Sequence, residues 1–490
     1  MSDEAAQQGL IRSGPVSLST KLLQGVGALP DTYKNFAFNT FLLFFYNQVL
    51  GYPATLASAA LGIALCFDAV TDPMVGSFSD NLRSRLGRRH PLMYLSALPL
   101  ALSLYFVFVP PDNLSSTVMF VWLMFFAIAV RTSMTLFLVP WSAMMAELST
   151  DYVERTDIVK YRFALGWVGG VAFTFLTWTY IFPSTEAYTP GHLNPEGYPL
   201  FATVLAVLVF FAVLITTHFT RSEIPYLQPP PETPERFGWR RVTREVREAF
   251  DNRQFLLIFT IVLLMESISG TKGAIEIYMT TYFWGFTPED LRWFGLSIIG
   301  AIAAFMTVHR INMRWEKKHI VIGAIVLATF DGVVLVNLRF LDWLPDNGTT
   351  SLLLIVLGVV IVSVYVLTVQ GIVGPSMVAD VLDVQELKTG RRQEGMFFAA
   401  LSFATKFTSG FGIILGGIII DLLAFPRGAA PGTIDPDVLF RLGLVLGVVI
   451  PLVNLLPLVL ATRLQTSREV HAEVRRQLDE RHAQRQDSVT

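Results

Sequence analysis

Long apolar stretches alternate with short polar ones between residues 33 and 461, most of them near the ~20 residues a helix needs to cross a bilayer. The pattern predicts helical spans at 33–50, 54–77, 91–110, 116–144, 161–183, 199–218, 254–285, 291–310, 320–340, 351–377, 396–423 and 438–461, twelve in all. Several exceed what the hydrocarbon requires and are expected to tilt or project into water. One polar interruption, 219–253, is much longer than the rest and contains the run PPPETPE. It separates a six-span half at 33–218 from another at 254–461, the arrangement of a pseudo-symmetric transporter. A polar segment, 1–32, precedes the first span, and a charged tail, 462–490, follows the last. The expected class is an all-α polytopic membrane protein with a solvated tail.

Composition narrows this further. Of 490 residues, 52% are hydrophobic and 16% charged, more apolar surface than a soluble core of that size can hide. The single cysteine, Cys66, excludes a disulfide framework and a cysteine-based metal cluster. The first thirty residues lack the apolar core of a cleavable signal, so the first span is expected to remain as an anchor. Positive charge falls in alternate loops: Arg83, Arg85, Arg88 and Arg89 after span 2; Arg221, Arg236, Arg240, Arg241, Arg244, Arg247 and Arg253 after span 6; Arg310, Arg314, Lys317 and Lys318 after span 8; Lys388, Arg391 and Arg392 after span 10. Among the intervening loops, 11–12 offers only Arg427. This bias places both termini and the basic loops in the cytoplasm, with the chain in the inner (plasma) membrane.

The remaining charges lie inside spans, where each costs at least about 2.5–3.5 kcal/mol on insertion scales. They are Lys34, Asp68, Asp72, Arg131, Arg162, Glu266, Lys272, Glu276, Asp331, Arg339, Lys406 and Asp421, of which Arg339 and Asp421 read as span-end residues. Asp68 and Asp72 stand out in FDAVTDPMVG, because a four-residue spacing puts both carboxylates on one helix face. Two facing carboxylates in a low dielectric repel, so one is protonated or a cation lies between them. Sodium suits a cage of hard oxygens to which Thr71 adds a hydroxyl, and a proton would neutralise equally well; the plainer alternative is an ion pair that only holds helices together. Lys406 is the one cation of its span and a candidate counter-charge, while Arg162 opens span 5. Around SISGTKGAIE the glycines predict a broken or flexible span 7. GWVGG in span 5 and GFGIILGG in span 11 supply small faces for close or sliding contacts. No P-loop, H-E-x-x-H or G-x-S-x-G string supports an enzyme, and no cofactor other than a coupling ion is expected.

Four stretches carry a resemblance. VGSFSDNLRSRLGRRHP (75–91) resembles the loop 2–3 signature of the major facilitator superfamily. FDAVTDPMVG, VPWSAMMAEL (139–148) and VADVLDVQELKTGRRQEGMFFA (378–399) are similar to the span 2, span 4 and loop 10–11 strings of one branch, the glycoside–pentoside–hexuronide:cation symporter family. The resemblance covers about residues 30–460 and implies cation-coupled symport of a glycoside-like solute by alternating access. It places Asp68 and Asp72 on the family's cation-binding carboxylates, Thr71 where the melibiose permease has an asparagine ligand, and Thr135 on a span-4 threonine of the same site. Arg162 and Lys406 match an arginine and a lysine near the pair. Asp80, Arg88, Arg89, Asp380, Asp383, Glu386, Arg391 and Arg392 would form a cytoplasmic charge network. The sugar positions depart from the pattern: Asn35, after Lys34, and Leu138 stand where the melibiose permease has aspartates. A carboxylate accepts two hydroxyl hydrogen bonds and leucine none, so the pocket is expected to differ, with Asn39, Tyr46, Asn47, Trp141 and Trp167 as further lining candidates. A vertebrate lysophospholipid symporter of the same family makes an amphipathic lipid the alternative substrate. A non-transporting sensor is a third reading, opposed by the intact Asp68, Asp72 and Lys406. Function as a monomer is expected, with no nucleic-acid partner.

Overall fold

The computed structural model describes residues 14–149, 151–227, 252–389 and 394–464, with residues 473, 474, 476–478 and 480 of the tail. Among them there is no strand. Eleven helices are long and apolar enough to cross a membrane. The first predicted span is also helical but fragmented, which is why length and hydropathy alone do not pick it out.

The chain forms two compact units, one of Met1–Phe237, Gly273–Gly295 and Ile413–Ile434, the other of Gly238–Lys272, Leu296–Gly412 and Asp435–Thr490. In the first, α1 (Leu18–Val26) starts at Ser17, whose side chain accepts a hydrogen bond from the Thr20 backbone N–H. It leads into α2 (Leu29–Phe36) and the π-helical turns Ala37–Leu42 and Phe45–Val49. Then come α3 (Ala54–Asn81), α4 (His90–Phe108), α5 (Ser116–Leu148), α6 (Tyr152–Leu176) and α7 (Gly197–Phe219). Helix α5 packs on α3 and α4, α4 also on α7, and α1 and α2 on α6. The GWVGG glycines serve that last contact: a Cβ on Gly169 would strike Leu29, and one on Gly170 would crowd Thr32. Inside α3, Pro73 follows Asp72 directly and withholds one backbone donor from the helix ladder.

The second unit holds most of α8 (Arg253–Tyr278) and α12 (Glu394–Leu422), with α9 (Ile298–Arg314), α10 (Lys317–Phe340), α11 (Thr350–Thr389), α13 (Pro436–Leu444) and α14 (Ile450–Thr462). Helix α11 packs on α9 and α10, and α10 on α14, around a core that includes Phe255, Ile325, Val369, Met377 and Leu382. The sequence predicts a broken or flexible span 7, and the structure corrects the break: α8 runs unbroken through SISGTKGAIE. Gly270 is there for proximity instead. A side chain on Gly270 or Gly412 would collide with the backbone of the other helix, so the pair lets α8 and α12 cross at backbone distance.

At the end of the first unit opposite the 82–89 loop, aromatic and amide groups close together. Tyr278 Oη donates to Asn47 Oδ1 (2.9 Å), Tyr282 Oη donates to Gln48 Oε1 (2.9 Å), and Asn47 Nδ2 donates to the Tyr52 carbonyl (2.9 Å). Asp421 is not a simple span-end residue. Its carboxylate accepts from the backbone N–H groups of Thr55 (2.7 Å) and Ala54 (3.3 Å), capping the N-terminus of α3, which otherwise has no side-chain cap.

Candidate cation and solute site

The four-residue spacing of Asp68 and Asp72 on α3 places both carboxyl groups toward α5. There Thr135 Oγ1 lies 2.8 Å from Asp68 Oδ1 and 2.8 Å from Asp72 Oδ1. Thr135 and Asp68 are buried, while Asp72 is half-buried. A hydroxyl has one hydrogen to donate. One of the two short contacts is therefore a Thr135 donation, and the other is complete only when that carboxyl carries a proton. Thr71 Oγ1 donates to the Asp68 backbone carbonyl (3.1 Å), so its hydrogen is directed at its own helix and not at a carboxylate.

The arginine at this pair is one the sequence reading leaves without a role. Arg131, one turn before Thr135 on α5, brings Nη1 to 3.6 Å from Asp68 Oδ2 and lies over the Phe38 ring at 5.8 Å. Arg162 sits elsewhere on the α5–α6 contact. Its guanidinium covers the Trp141 ring at 3.5 Å, and Nη1 donates to Met145 Sδ at 3.1 Å. Lys406 belongs to the second compact unit.

The solute candidates divide into two sets. In span 1, Lys34 Nζ contacts Asp31 Oδ1 (2.9 Å) and Asn35 Nδ2 donates to Asp31 Oδ2 (3.0 Å). Asp31, Asn35 and Asn39 are spaced one turn apart, and both asparagines are exposed. Asp31 escapes the sequence reading because the helix containing it starts before the apolar run does. Leu138 lies one turn after Thr135, half-buried like Trp167, whereas Trp141 is buried under Arg162. Tyr46 and Asn47 are different: both are fully buried. Tyr46 Oη donates to the Val107 carbonyl (3.0 Å), and Asn47 is held in the closed end described above.

Within each unit, residues of the predicted charge network form ion pairs. In the first, Arg89 Nη1 pairs with Asp80 (2.7 Å) and donates to Ser79 Oγ (3.0 Å). Arg88 and Arg89 both converge on Glu147 Oε1, at 2.8 and 2.7 Å. Glu147, within the VPWSAMMAEL string, is the acceptor that sequence reasoning passes over. In the second, Lys317 Nζ pairs with Asp380 (2.7 Å), Asp383 is buried and Glu386 half-buried. Arg391 and Arg392 lie outside the described residues.

With this geometry in place, comparison with known proteins is informative. The family model described as "MFS/sugar transport protein" matches residues 23–468. The chain belongs to that family. The family's multi-pass membrane architecture accounts for the helices described above. Among relatives of this family, an uncharacterised symporter of Synechocystis is 25% identical, covering 94% of this chain and 97% of its own. An isoprimeverose transporter of Lactiplantibacillus pentosus is 22% identical over 80% of this chain and 78% of its own. A mouse sodium-dependent lysophosphatidylcholine symporter is 34% identical over 32% of this chain and 30% of its own. Among solved structures, a point mutant of the nucleoside transporter NupG covers 91% of this chain and 100% of its own with a TM-score of 0.64 at 14% identity, a likeness of fold.

Proposed function

We propose that this family member is a cation-coupled symporter that imports a glycoside-like solute by alternating access. The observation that carries the reading is the Thr135 hydroxyl held between Asp68 and Asp72, an arrangement that changes its hydrogen bonding when one charge is neutralised. Loading the pair would favour closure around solute, and unloading would favour release. The halves 33–218 and 254–461 would rock about this centre, with both termini and the basic loops cytoplasmic and a monomer sufficient. Asp80, Arg88, Arg89 and Glu147 on one side and Lys317, Asp380, Asp383 and Glu386 on the other would hold the cytoplasmic face closed in part of the cycle. Lys406 and Arg162 would act between the coupling pair and the solute.

A polar row on a membrane helix faces the bundle interior or a water-filled cavity. Asp31, Asn35 and Asn39 therefore line the proposed solute path, and Asp31 supplies a carboxylate for sugar hydroxyls one turn before Asn35. The sugar-transport family and the isoprimeverose transporter among its relatives support that class. Leu138 and the lysophosphatidylcholine symporter match favour the second reading, an amphipathic lipid.

A thermal-shift screen of the purified protein decides between them, using methyl glycosides, methyl uronides and lysophosphatidylcholine, each at several pH values and with Na+ or choline. Stabilisation by a glycoside or uronide that depends on pH or Na+ supports the first reading. A response to the lysolipid alone overturns it in favour of the second.

A further inference from the structure

Resting on the alternating-access reading, we propose that the end of the first unit opposite the 82–89 loop is the outer gate of the transporter, and that protonation of His192 opens it. The polar clasps at this end join residues of 33–218 to residues of 254–461, the two stretches that would rock apart, and all lie within the first compact unit. Tyr278 and Tyr282 donate their hydroxyls to Asn47 and Gln48. Gln48 Nε2 donates to the Pro426 carbonyl (3.2 Å), and Glu289 accepts from the Ser184 backbone N–H (3.0 Å) and hydroxyl (2.9 Å). Ser58 on α3 is fully buried, with Oγ 3.5 Å from the Ile414 carbonyl and so close to Gly417 that a Cβ there would strike it. A rocking motion that lets water into this end separates these pairs together.

His192 sits among these clasps, in the short turn Gly191–Leu193 between α6 and α7. Its fully buried ring lies against Phe44 (5.3 Å between centroids) and Trp178 (5.4 Å), with Nε2 2.9 Å from Thr281 Oγ1. Nδ1 is buried and has no hydrogen-bond partner among the described residues. A neutral imidazole fits this site, because the Thr281 hydroxyl either donates to Nε2 or accepts from it. An imidazolium carries an N–H on both nitrogens, and the one at Nδ1 meets no acceptor. The titratable groups nearby do not supply one. Tyr198 Oη donates to the His192 backbone carbonyl, and Tyr278 and Tyr282 are directed at Asn47 and Gln48. Among the described residues the charge that bears on the ring is Glu289, which Ser184 holds. The closed gate therefore excludes the proton. In the open gate the ring meets water and takes up a proton near the free value of about 6.5. Acid on the outer side then favours the open form, because that form binds the extra proton.

The test is labelling by a membrane-impermeant maleimide in right-side-out and inverted vesicles that contain the full-length protein with Cys66→Ala and one new cysteine. Ser58→Cys reports opening. Asp112→Cys, exposed in the loop before α5 at the same end, is the reference that removes the pH dependence of the thiol itself. In right-side-out vesicles the rate of Ser58→Cys relative to Asp112→Cys should rise about tenfold from about pH 7.5 to about pH 5.5. The ratio should stay flat when His192→Gln or His192→Asn is added. A flat ratio with native His192, or an equal rise in the His192 variants, overturns the role of His192. No labelling of Ser58→Cys in right-side-out vesicles at any pH overturns the gate, and labelling in inverted vesicles alone overturns its outward orientation. The measurement needs no solute, so a failure of the symport reading shows in uptake and not here.

Discussion

Thr135 Oγ1 stands 2.8 Å from a carboxylate oxygen of both Asp68 and Asp72, so one hydroxyl on α5 lies between two acids on α3. Removing it while keeping the shape is the sharpest test of that relationship. Hydrogen bonds to charged groups contribute roughly 1.5–3 kcal/mol, or about 10–100-fold in an equilibrium constant. Thr135→Val should weaken gradient-driven uptake by about that factor, and Thr135→Ser should restore most of it. Equal loss in both variants would mean that the methyl packing, and not the hydroxyl, matters.

Asp31 is expected to act on solute and not on the ion. Asp31→Asn should raise the glycoside concentration needed for half-maximal stabilisation by about 10–100-fold, while the dependence of that stabilisation on the coupling cation stays in place. Because the change also removes the Lys34 ion pair, Asp31→Glu is the control and should recover part of the affinity. A variant that loses the cation dependence and keeps the solute affinity would reverse the assignment.

Much of the candidate cation site is legible in the chain because it depends on one helix. Asp68 and Asp72 share a face by spacing alone, and Arg88, Arg89 and Asp80 are close in sequence before they are close in space. Arg131 is harder. Its four-residue offset from Thr135 is visible, but which of the two arginines, Arg131 on α5 or Arg162 on α6, meets Asp68 depends on how each helix packs beside α3. Asp31 is hidden for another reason: α1 and α2 are too polar for a hydropathy window, so the first span reads as starting after it. Tyr46 and Asn47 look like pocket residues by type, and only the packing of α3, α4 and the Tyr278 turn reveals that their polar atoms are already engaged. Gly270 illustrates the same ambiguity, since close helix crossing and a flexible helix call for the same residue.

The cap that Asp421 places on α3 should be measurable as stability. Loss of an N-cap costs about 0.5–2 kcal/mol, and Asp421→Ala should lower the melting temperature of the purified protein accordingly. Asp421→Asn, which can still accept from the Thr55 N–H, should lose less. Identical melting of Asp421→Ala and the native protein would show that the cap contributes nothing.

His192 gives a pH dependence of known sign. It lies between α6 and α7, fully buried, with Nε2 2.9 Å from Thr281 Oγ1. Burial pushes its imidazole down to about 3, a shift that Glu289 partly opposes. Free histidine titrates near 6.5, so between these values the unfolded chain holds a proton that the folded chain does not. Stability therefore rises with pH across that window and is lost as pH falls below about 6.5. The native protein should lose melting temperature relative to His192→Gln on acidification from about pH 7 towards pH 4, whereas parallel curves would contradict the buried neutral imidazole.

Coupling itself is tested most directly by uptake of radiolabelled methyl glycoside into proteoliposomes, with and without an imposed proton or Na+ gradient, in the native protein and in Asp72→Asn. The native protein should accumulate glycoside above the external concentration only when one of these gradients is present, and Asp72→Asn should equilibrate without accumulating. Accumulation by Asp72→Asn with the same gradient dependence as the native protein would contradict the role of the Asp68–Thr135–Asp72 centre.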